Sequence, residues 1–209
     1  MKSHEKLVAA AVASILMGQA IAQDRMPAIP PDRMTDAQKK AATVIMSGPR
    51  KWTALQGPYV PIVRSPEFMI RAQAVGEYVR FMTPLDKRIS EMAAIMAARA
   101  WTQQYEWVAH YRQALEAGLK PAIADAIAEG RRPVGMAQDE EILYDFLTEV
   151  LTNKSVSDPT YARTVGKFGE QGVIDLLGVV GYYTMLAMIL NVARTPVPPG
   201  SKLLPPLPH

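Results

Sequence analysis

The sequence of 209 residues contains no cysteine. This absence excludes disulfide bonds, thiol nucleophiles and CxxC redox chemistry, because all of these need thiol side chains. It also excludes zinc sites built on thiolates, which are common ligands of structural zinc. Any catalytic chemistry in this chain must therefore use oxygen and nitrogen groups.

Histidine is nearly as rare, since the chain has only His4, His110 and His209. His4 lies in a predicted export signal and His209 is the last residue, so His110 is the only internal imidazole. A metal site with three histidine ligands therefore cannot be built within one chain. A Ser-His-Asp triad would have to use His110.

Strong charge is also missing from this sequence. The formal net charge is +3 and the basic residues are scattered, so we do not expect nucleic acid as a partner. The chain is 49% hydrophobic and 21% charged, which is typical of a packed globule and not of a disordered chain. Its length suits one domain.

The N-terminus has the pattern of a secretory signal at residues 1–22. Two lysines precede an uncharged run that ends in the small-x-small sequence AIA at residues 20–22. The pattern predicts cleavage after Ala22 and a periplasmic or secreted protein. The run is shorter than the roughly 20 apolar residues of a membrane span. A cytoplasmic N-terminal helix is the alternative interpretation.

No alternating pattern of apolar and polar residues extends over a useful length, so no strand is predicted. Helix signals recur instead: Thr35 and Gln38 have capping-box spacing, Ser65 and Pro66 fit a helix start, and Gly118 fits a helix end. Thr102 is the expected cap of a helix that runs from Gln103 to about Glu116. We count about seven helices in this way. The expected fold is all-α, a compact orthogonal helical bundle.

The predicted organisation has four parts. After the signal, residues 23–64 form an N-terminal helix and an irregular arm, residues 65–194 form the helical domain, and residues 195–209 form a proline-rich tail. The arm contains a long connection with aromatic residues, and connections of this length are usually functional. The tail should be extended, because proline-rich segments favour that backbone.

One predicted helix carries no charge from Leu176 to Leu190. Asp175 and Asn191 bracket this run, which is too short for a membrane span. A helix that is apolar on all sides is otherwise buried, often against a partner subunit. The run therefore predicts a homo-oligomer.

The sequence "WTQQYEWVAH", residues 101–110, contains the most unusual polar pattern of the chain. On a helix, Gln103, Glu106 and His110 share one stripe, and Glu106 and His110 can touch at i,i+4. A neighbouring carboxylate raises the pKa of an imidazole, which prepares a general acid. The alternatives are an exposed Glu-His pair, or a metal site that would also need Glu91 or another carboxylate.

The segment "LDKRISEMAAIMAARAWTQQYEWVAHYRQALEAGL" resembles the carboxymuconolactone decarboxylase family, within the alkylhydroperoxidase D-like (AhpD-like) superfamily. The shared pattern begins with a basic residue and a glutamate, here Arg88 and Glu91, and continues with a run of small residues. A helix that ends in His110 comes next, and "AGL" follows it. The similarity extends from about Pro66 to Asn191. It implies an all-α AhpD-like fold and a trimer or hexamer.

The chain departs from the peroxidase branch of this superfamily at two positions. That branch has CxxC followed by histidine, and here the two cysteine positions hold Gln103 and Glu106. Thiol-based peroxide reduction needs an attacking and a resolving thiol, so it is excluded. The resemblance leaves Glu91, Glu106 and His110 as the catalytic set.

The resemblance implies loss of CO2 from 4-carboxymuconolactone or a related carboxylated lactone, without a cofactor. His110 would deliver the proton, and Glu106 and Glu91 would orient it. Arginines would hold the substrate carboxylates, since guanidinium binds carboxylate with two hydrogen bonds. The expected substrate-binding residues are Arg88, Arg99, Trp101, Gln103, Tyr105 and Arg131, with Arg132 as a further candidate.

Two other functions stay open from the sequence. The first is an oligomeric binding protein that holds a small acidic molecule without catalysis, and the second is a metal-dependent hydrolase or lyase. Export also conflicts with the family role, because breakdown of carboxymuconolactone belongs to cytoplasmic aromatic catabolism. A signal therefore favours a paralogue that acts on another carboxylated or lactone substrate.

Overall fold

The computed structural model describes residues 24–207, and no strand forms in that part of the chain. The all-α prediction is confirmed. The predicted signal at residues 1–22 lies outside the described residues. The helices are α1 (Asp36–Ser47), α2 (Tyr59–Ile62), α3 (Pro66–Glu77), α4 (Lys87–Ala100), α5 (Gln104–Glu116), α6 (Pro121–Ala128), α7 (Gln138–Asn153) and α8 (Asp158–Ala193), with a 3-10 turn at Pro31–Arg33.

Helix α4 is the centre of the bundle and packs against α5, α6, α7 and α8. Its interior is mostly alanine and methionine, and residues such as Ala93 and Ala97 are fully buried. Alanine has the highest helix propensity, and its small side chain lets neighbouring helices approach closely. The same helix also carries Glu91 and Arg99 into the interior.

Helix α3 continues into a π-helical turn at Tyr78–Met82, where the sequence pattern predicts an ordinary helix. The turn is fixed by the buried Asp175 of α8, which accepts hydrogen bonds from the hydroxyls of Tyr78 and Thr83, each at 3.0 Å. A π turn adds one residue to a helical turn and so changes which side chains point inward. Here Arg80 lines the central cavity.

Helix α8 has two segments, because Gly169 has a non-helical backbone with φ of 70°. The uncharged run lies in the second segment, where Leu176, Leu186 and Leu190 are buried. By length and composition this helix could cross a membrane, but 56% of its most apolar window is buried within the domain. A core helix with one partly exposed face accounts for this pattern.

The arm and the tail both pack against the helical domain. The backbone N–H of Arg25 donates to the carbonyl of Ala193 at 2.8 Å, which ties the start of the arm to the end of α8. In the tail, Leu204 is buried, and its backbone N–H and carbonyl are both bonded by the amide side chain of Gln104. The extended tail therefore covers the beginning of α5.

Candidate functional site

A cavity of about 650 Å³ lies between the arm, α5, α8 and the tail, and it is large enough for a small organic molecule. Glu106 and His110 of α5 form part of its wall. The rest of the lining is mainly aromatic and cationic. It includes Arg50, Trp52, Tyr59, Arg80, Tyr105, Tyr111, Arg112, Tyr182, Tyr183, Pro198 and Lys202.

His110 lies between two glutamates. Its Nδ1–H donates to Oε2 of Glu91 at 2.6 Å, and its Nε2 lies 3.3 Å from Oε2 of Glu106. All three side chains are at most 4% exposed. The second oxygen of Glu91 accepts from Nζ of Lys87 at 2.6 Å. The three predicted catalytic residues are therefore brought together as one buried relay.

His110 and Glu91 stabilise each other's charges. Burial alone would lower the pKa of His110, but attraction to Glu91 and hydrogen bonds with Glu106 and Glu91 raise it above its ordinary value. Burial alone would raise the pKa of Glu91, but attraction to His110 and Lys87, with their hydrogen bonds, lowers it to about 2. His110 therefore keeps its proton to a higher pH than an exposed histidine does.

Gln103 holds the N-terminus of α5. Its side-chain oxygen accepts from the backbone N–H groups of Tyr105 and Glu106, and its amide nitrogen donates to Asn191 at 3.0 Å. The sequence suggested that Thr102 could be this cap, but Thr102 has a positive φ of 47° and lies outside the helix. The buried Gln103 amide is thus occupied by structural bonds and lies outside the cavity lining.

Tyr183 and Arg80 form a layer beside the imidazole. The rings of Tyr183 and His110 meet edge to face, with centroids 4.3 Å apart. Nη1 of Arg80 donates to the Tyr183 hydroxyl at 3.2 Å, and its Nη2 donates to Gln113 at 2.8 Å. Burial raises the pKa of Tyr183 although Arg80 opposes that shift, so the phenol stays protonated.

Comparison with known proteins agrees with this architecture. The model of the carboxymuconolactone decarboxylase family matches residues 66–140, which include Glu91, Glu106 and His110. The resemblance to this family is confirmed. No curated protein sequence matches the chain.

Among solved structures, the chain is similar to a protein of unknown function from Agrobacterium tumefaciens, which is described with a suggested relation to the antioxidant defence protein AhpD. The TM-score is 0.59 at 16% identity, over 66% of this chain and 94% of the other. At this identity the similarity establishes the fold alone. The match supports an AhpD-like fold for this chain.

The predicted arginines lie outside the cavity lining. Arg88 donates to Asp139 at 2.7 Å and to Glu140 at 2.6 Å, both on α7. Arg131 and Arg132 are more than half exposed. They pair with Glu129 and Asp145, respectively. Arg88 and Arg131 are therefore both held by carboxylates outside the cavity lining, and the structure does not bring them together with the predicted catalytic residues.

Arg99 and Trp101 also lie outside the cavity lining. Arg99 is buried and donates to the carbonyl oxygens of Ala128 and Pro205 at 3.0 and 2.8 Å, so it joins α4 to α6 and to the tail. Trp101 is 39% exposed, and its carbonyl accepts from Asn191. The Arg99 side chain and the backbone of Trp101 therefore make structural contacts, and neither residue lines the cavity.

Tyr105 is the predicted binding residue that does line the cavity. Its ring packs on Gly57 of the arm so closely that a Cβ added there would lie 2.6 Å from the ring. Gly57 has a φ of 52°, a conformation that favours glycine. The arm can therefore come close to α5, and it forms one side of the site.

Several lining residues escaped the sequence prediction. Arg50 and Tyr59 belong to the arm, whose length alone suggested a function. Tyr182 and Tyr183 lie inside the uncharged helix, where a core role was expected. The hydroxyls of Tyr59 and Tyr182 are 2.7 Å apart. A useful signal was available, because two adjacent tyrosines each need a polar partner when buried.

A metal site finds little support in this geometry. Within residues 24–207, no group of three or more histidine, aspartate and glutamate side chains is arranged to hold a metal ion. The Nδ1 of His110 is bound to Glu91, and its Nε2 faces Glu106. These contacts favour proton transfer between oxygen and nitrogen groups.

Proposed function

We propose that this protein is a carboxymuconolactone decarboxylase-like lyase, which removes CO2 from a small carboxylated lactone or a related acid by acid/base chemistry. One observation carries the proposal: a buried Glu91–His110–Glu106 relay is open to a cavity on the side of Glu106 and His110. A site that only bound ligand would not need a desolvated, protonated imidazole between two carboxylates.

The proposed reaction breaks the bond between a substrate carbon and its carboxylate. The electron pair of that bond moves into the conjugated lactone carbonyl and forms a dienolate, while CO2 leaves. A proton from the His110–Glu106 pair then forms a C–H bond, and solvent returns the proton to the pair. Because the substrate holds the electron pair itself, the step needs no redox partner.

The relay suits this proton transfer for an electrostatic reason. Glu91 raises the pKa of His110, and His110 and Lys87 lower the pKa of Glu91, so the imidazole at the cavity wall keeps its proton to a higher pH than an exposed histidine does. The Tyr183 hydroxyl accepts from Arg80, which leaves its own proton for an acceptor in the cavity. Tyr183 and Tyr105 are therefore our candidates for donors to the dienolate oxygen.

The test is a screen of carboxylated lactones for CO2 release, with wild type beside His110→Ala. We expect the variant to lose about 10³-fold in kcat/KM on any active substrate, the range for a general acid. Equal rates would show that His110 is not catalytic. Binding of acids without any turnover would favour the non-catalytic alternative.

The proposal includes a homo-oligomer and export from the cytoplasm. Large apolar side chains are exposed on two neighbouring surfaces, with Phe81 and Met82 after α3 and Ile174 and Val192 on α8. Exposed apolar area of this kind favours subunit contacts. A monomer by light scattering would contradict the oligomer, and an uncleaved N-terminus in the expressed protein would contradict export.

A further inference from the structure

The cavity has four cations in its lining besides His110, and they divide into two kinds. Arg112 pairs with Glu116 at 3.4 Å, and Lys202 pairs with Asp125 at 2.6 Å. Arg50 and Arg80 instead hydrogen-bond to neutral side chains, and neither forms an ion pair with a carboxylate in residues 24–207. Arg50 and Arg80 are thus the two cations of the cavity lining that form no salt bridge within the described residues.

Arg80 is the more enclosed of these two arginines. Its guanidinium carries five N–H groups, and the hydroxyl of Tyr183 and the side-chain oxygen of Gln113 accept only two bonds from it. The Nε atom is buried without a partner in the described part of the chain. The guanidinium lines the cavity with more N–H groups than acceptors and with no carboxylate bonded to it in the described residues, so it favours binding of an acceptor with negative charge.

Arg50 extends the same positive region toward the arm. Its Nη1 donates to the buried Gln73 at 2.7 Å, and its guanidinium carbon lies 5.2 Å from the ring centre of Tyr59. The guanidinium carbons of Arg50 and Arg80 lie 5.7 and 5.6 Å from the ring centre of Phe81. The ring of Phe81 in the π turn therefore lies within cation–π distance of both guanidinium groups.

We propose that Arg80, assisted by Arg50, binds an acid group of the ligand that stays on the molecule throughout the reaction. The statement that the acid group stays on the molecule rests on the proposed function. Binding of an acid group at Arg80 does not depend on turnover. The ligand class is a small organic acid whose carboxylate reaches Arg80 while its reacting carbon lies at Glu106 and His110.

The acid group at Arg80 is the retained one for a physical reason. A leaving carboxylate loses its negative charge as CO2 forms, so a cation bound to it would stabilise the ground state more than the transition state. A retained carboxylate keeps its charge in both states, and its binding orients the substrate at no cost to the chemical step. Arg80 is thus a specificity residue, separate from the proton relay.

The test measures binding of benzoate and benzamide by calorimetry, since these molecules are alike in shape and differ in charge. We expect wild type to bind benzoate more tightly, and Arg80→Gln to weaken benzoate by about tenfold or more, the worth of a charge-assisted hydrogen bond. Benzamide affinity should not change. Arg112→Gln is the matched control, because Arg112 lines the same cavity but pairs with Glu116.

Arg80→Lys and Arg50→Gln keep the test decisive if Arg80→Gln does not fold. The lysine keeps the charge but not the two-pronged geometry, so it should retain part of the preference for benzoate. Arg50→Gln should reduce the preference less than either change at Arg80.

Absence of a benzoate preference in wild type, or equal losses in the Arg80 variants and Arg112→Gln, would overturn the assignment. Loss of the preference in the Arg80 variants supports it even if no lactone is decarboxylated, so its failure and that of the proposed function can be told apart.

Discussion

The cavity has an inner wall on α5, which α4 supports from behind, and an outer wall on the arm, the π turn, α8 and the tail. The two walls are built differently. The inner wall holds Glu91, Glu106 and His110, which all lie within the segment that matches the family. The outer wall includes Arg50, Tyr182 and Lys202, which lie outside that segment. Arg80 of the outer wall lies within the matched segment, so that segment contains the proton relay and part of the ligand-binding wall.

The walls also differ in how firmly their polar groups are held. The inner relay is almost completely buried, and each charge has a partner within 3.3 Å. On the outer wall, Lys202 has a side chain that is 57% exposed. Water and salt weaken contacts of exposed groups but hardly reach buried ones. We expect changes in the inner wall to affect stability and chemistry together, and changes in the outer wall to affect mainly binding.

The largest effect is expected from Glu91→Gln. This change breaks a buried ion pair and leaves the charge of His110 without its main partner, so the free energy of unfolding should fall by about 3 kcal/mol. Urea denaturation measures this loss. Glu106→Gln is the matched comparison, and it should destabilise less, because Glu106 lies 3.3 Å from the imidazole and Glu91 only 2.6 Å.

The same pair of variants tests the pH dependence. The pKa of Glu91 is lowered from 4.5 to about 2, so its contribution is present above pH 4.5 and is lost as pH falls toward 2. The pKa of His110 is raised, so its contribution is present below the ordinary value and is lost as pH rises through the raised pKa. Glu91→Gln should flatten the acid limb, and an unchanged acid limb would contradict the ion pair.

A smaller effect is expected where the two walls meet, at Gly57. Gly57→Ala places a methyl group against the ring of Tyr105 and also strains a positive φ, so it should lower the free energy of unfolding by about 2 kcal/mol and weaken benzoate binding. Gly135→Ala has the same kind of backbone strain in open space and should cost only about 1 kcal/mol. Equal losses in thermal unfolding would mean that the contact with Tyr105 is not tight.

The smallest effect is expected from Lys202→Gln in the tail. Lys202 donates to Asp125 at 2.6 Å and to the Tyr111 hydroxyl at 2.8 Å, but its exposure limits the contribution to stability to less than about 1 kcal/mol. Benzoate affinity should fall by no more than about threefold, and added salt should remove the difference. A larger loss of benzoate affinity that persists at high salt would show that Lys202 is held as firmly as the buried groups of the inner wall.

Much of the inner wall could be predicted, because the contacts that place its residues are between neighbours in the sequence. Glu106 and His110 are four residues apart on one helix, and that spacing alone puts them in contact. The helix start was placed within two residues, although the cap is Gln103 and not Thr102. Glu91 came from the family pattern, since no helical period connects residues on two different helices.

The outer wall could not be predicted, because the contacts that place its residues join segments that are far apart in the sequence. Arg88 carries the same charge as Arg80, yet Arg88 meets Glu140 fifty-two residues away and becomes part of the frame. Arg80 reaches the cavity because a π turn, fixed by Asp175 of α8, replaces the ordinary helix there. Neither Glu140 as the partner of Arg88 nor Asp175 as the partner of the π turn can be inferred from the residues nearby in the sequence.

The sequence by itself determined the helical fold, the exclusion of thiol chemistry and the position of the only internal histidine, because composition and helical period are properties of short segments. The tertiary structure alone decided which arginines line the cavity, that Gln103 is a cap, and that the arm and tail complete the cavity. Within the described residues, Arg80 forms no salt bridge and lines the cavity, whereas Arg88 is paired with Asp139 and Glu140 outside it. That difference depends on how segments far apart in the sequence approach one another.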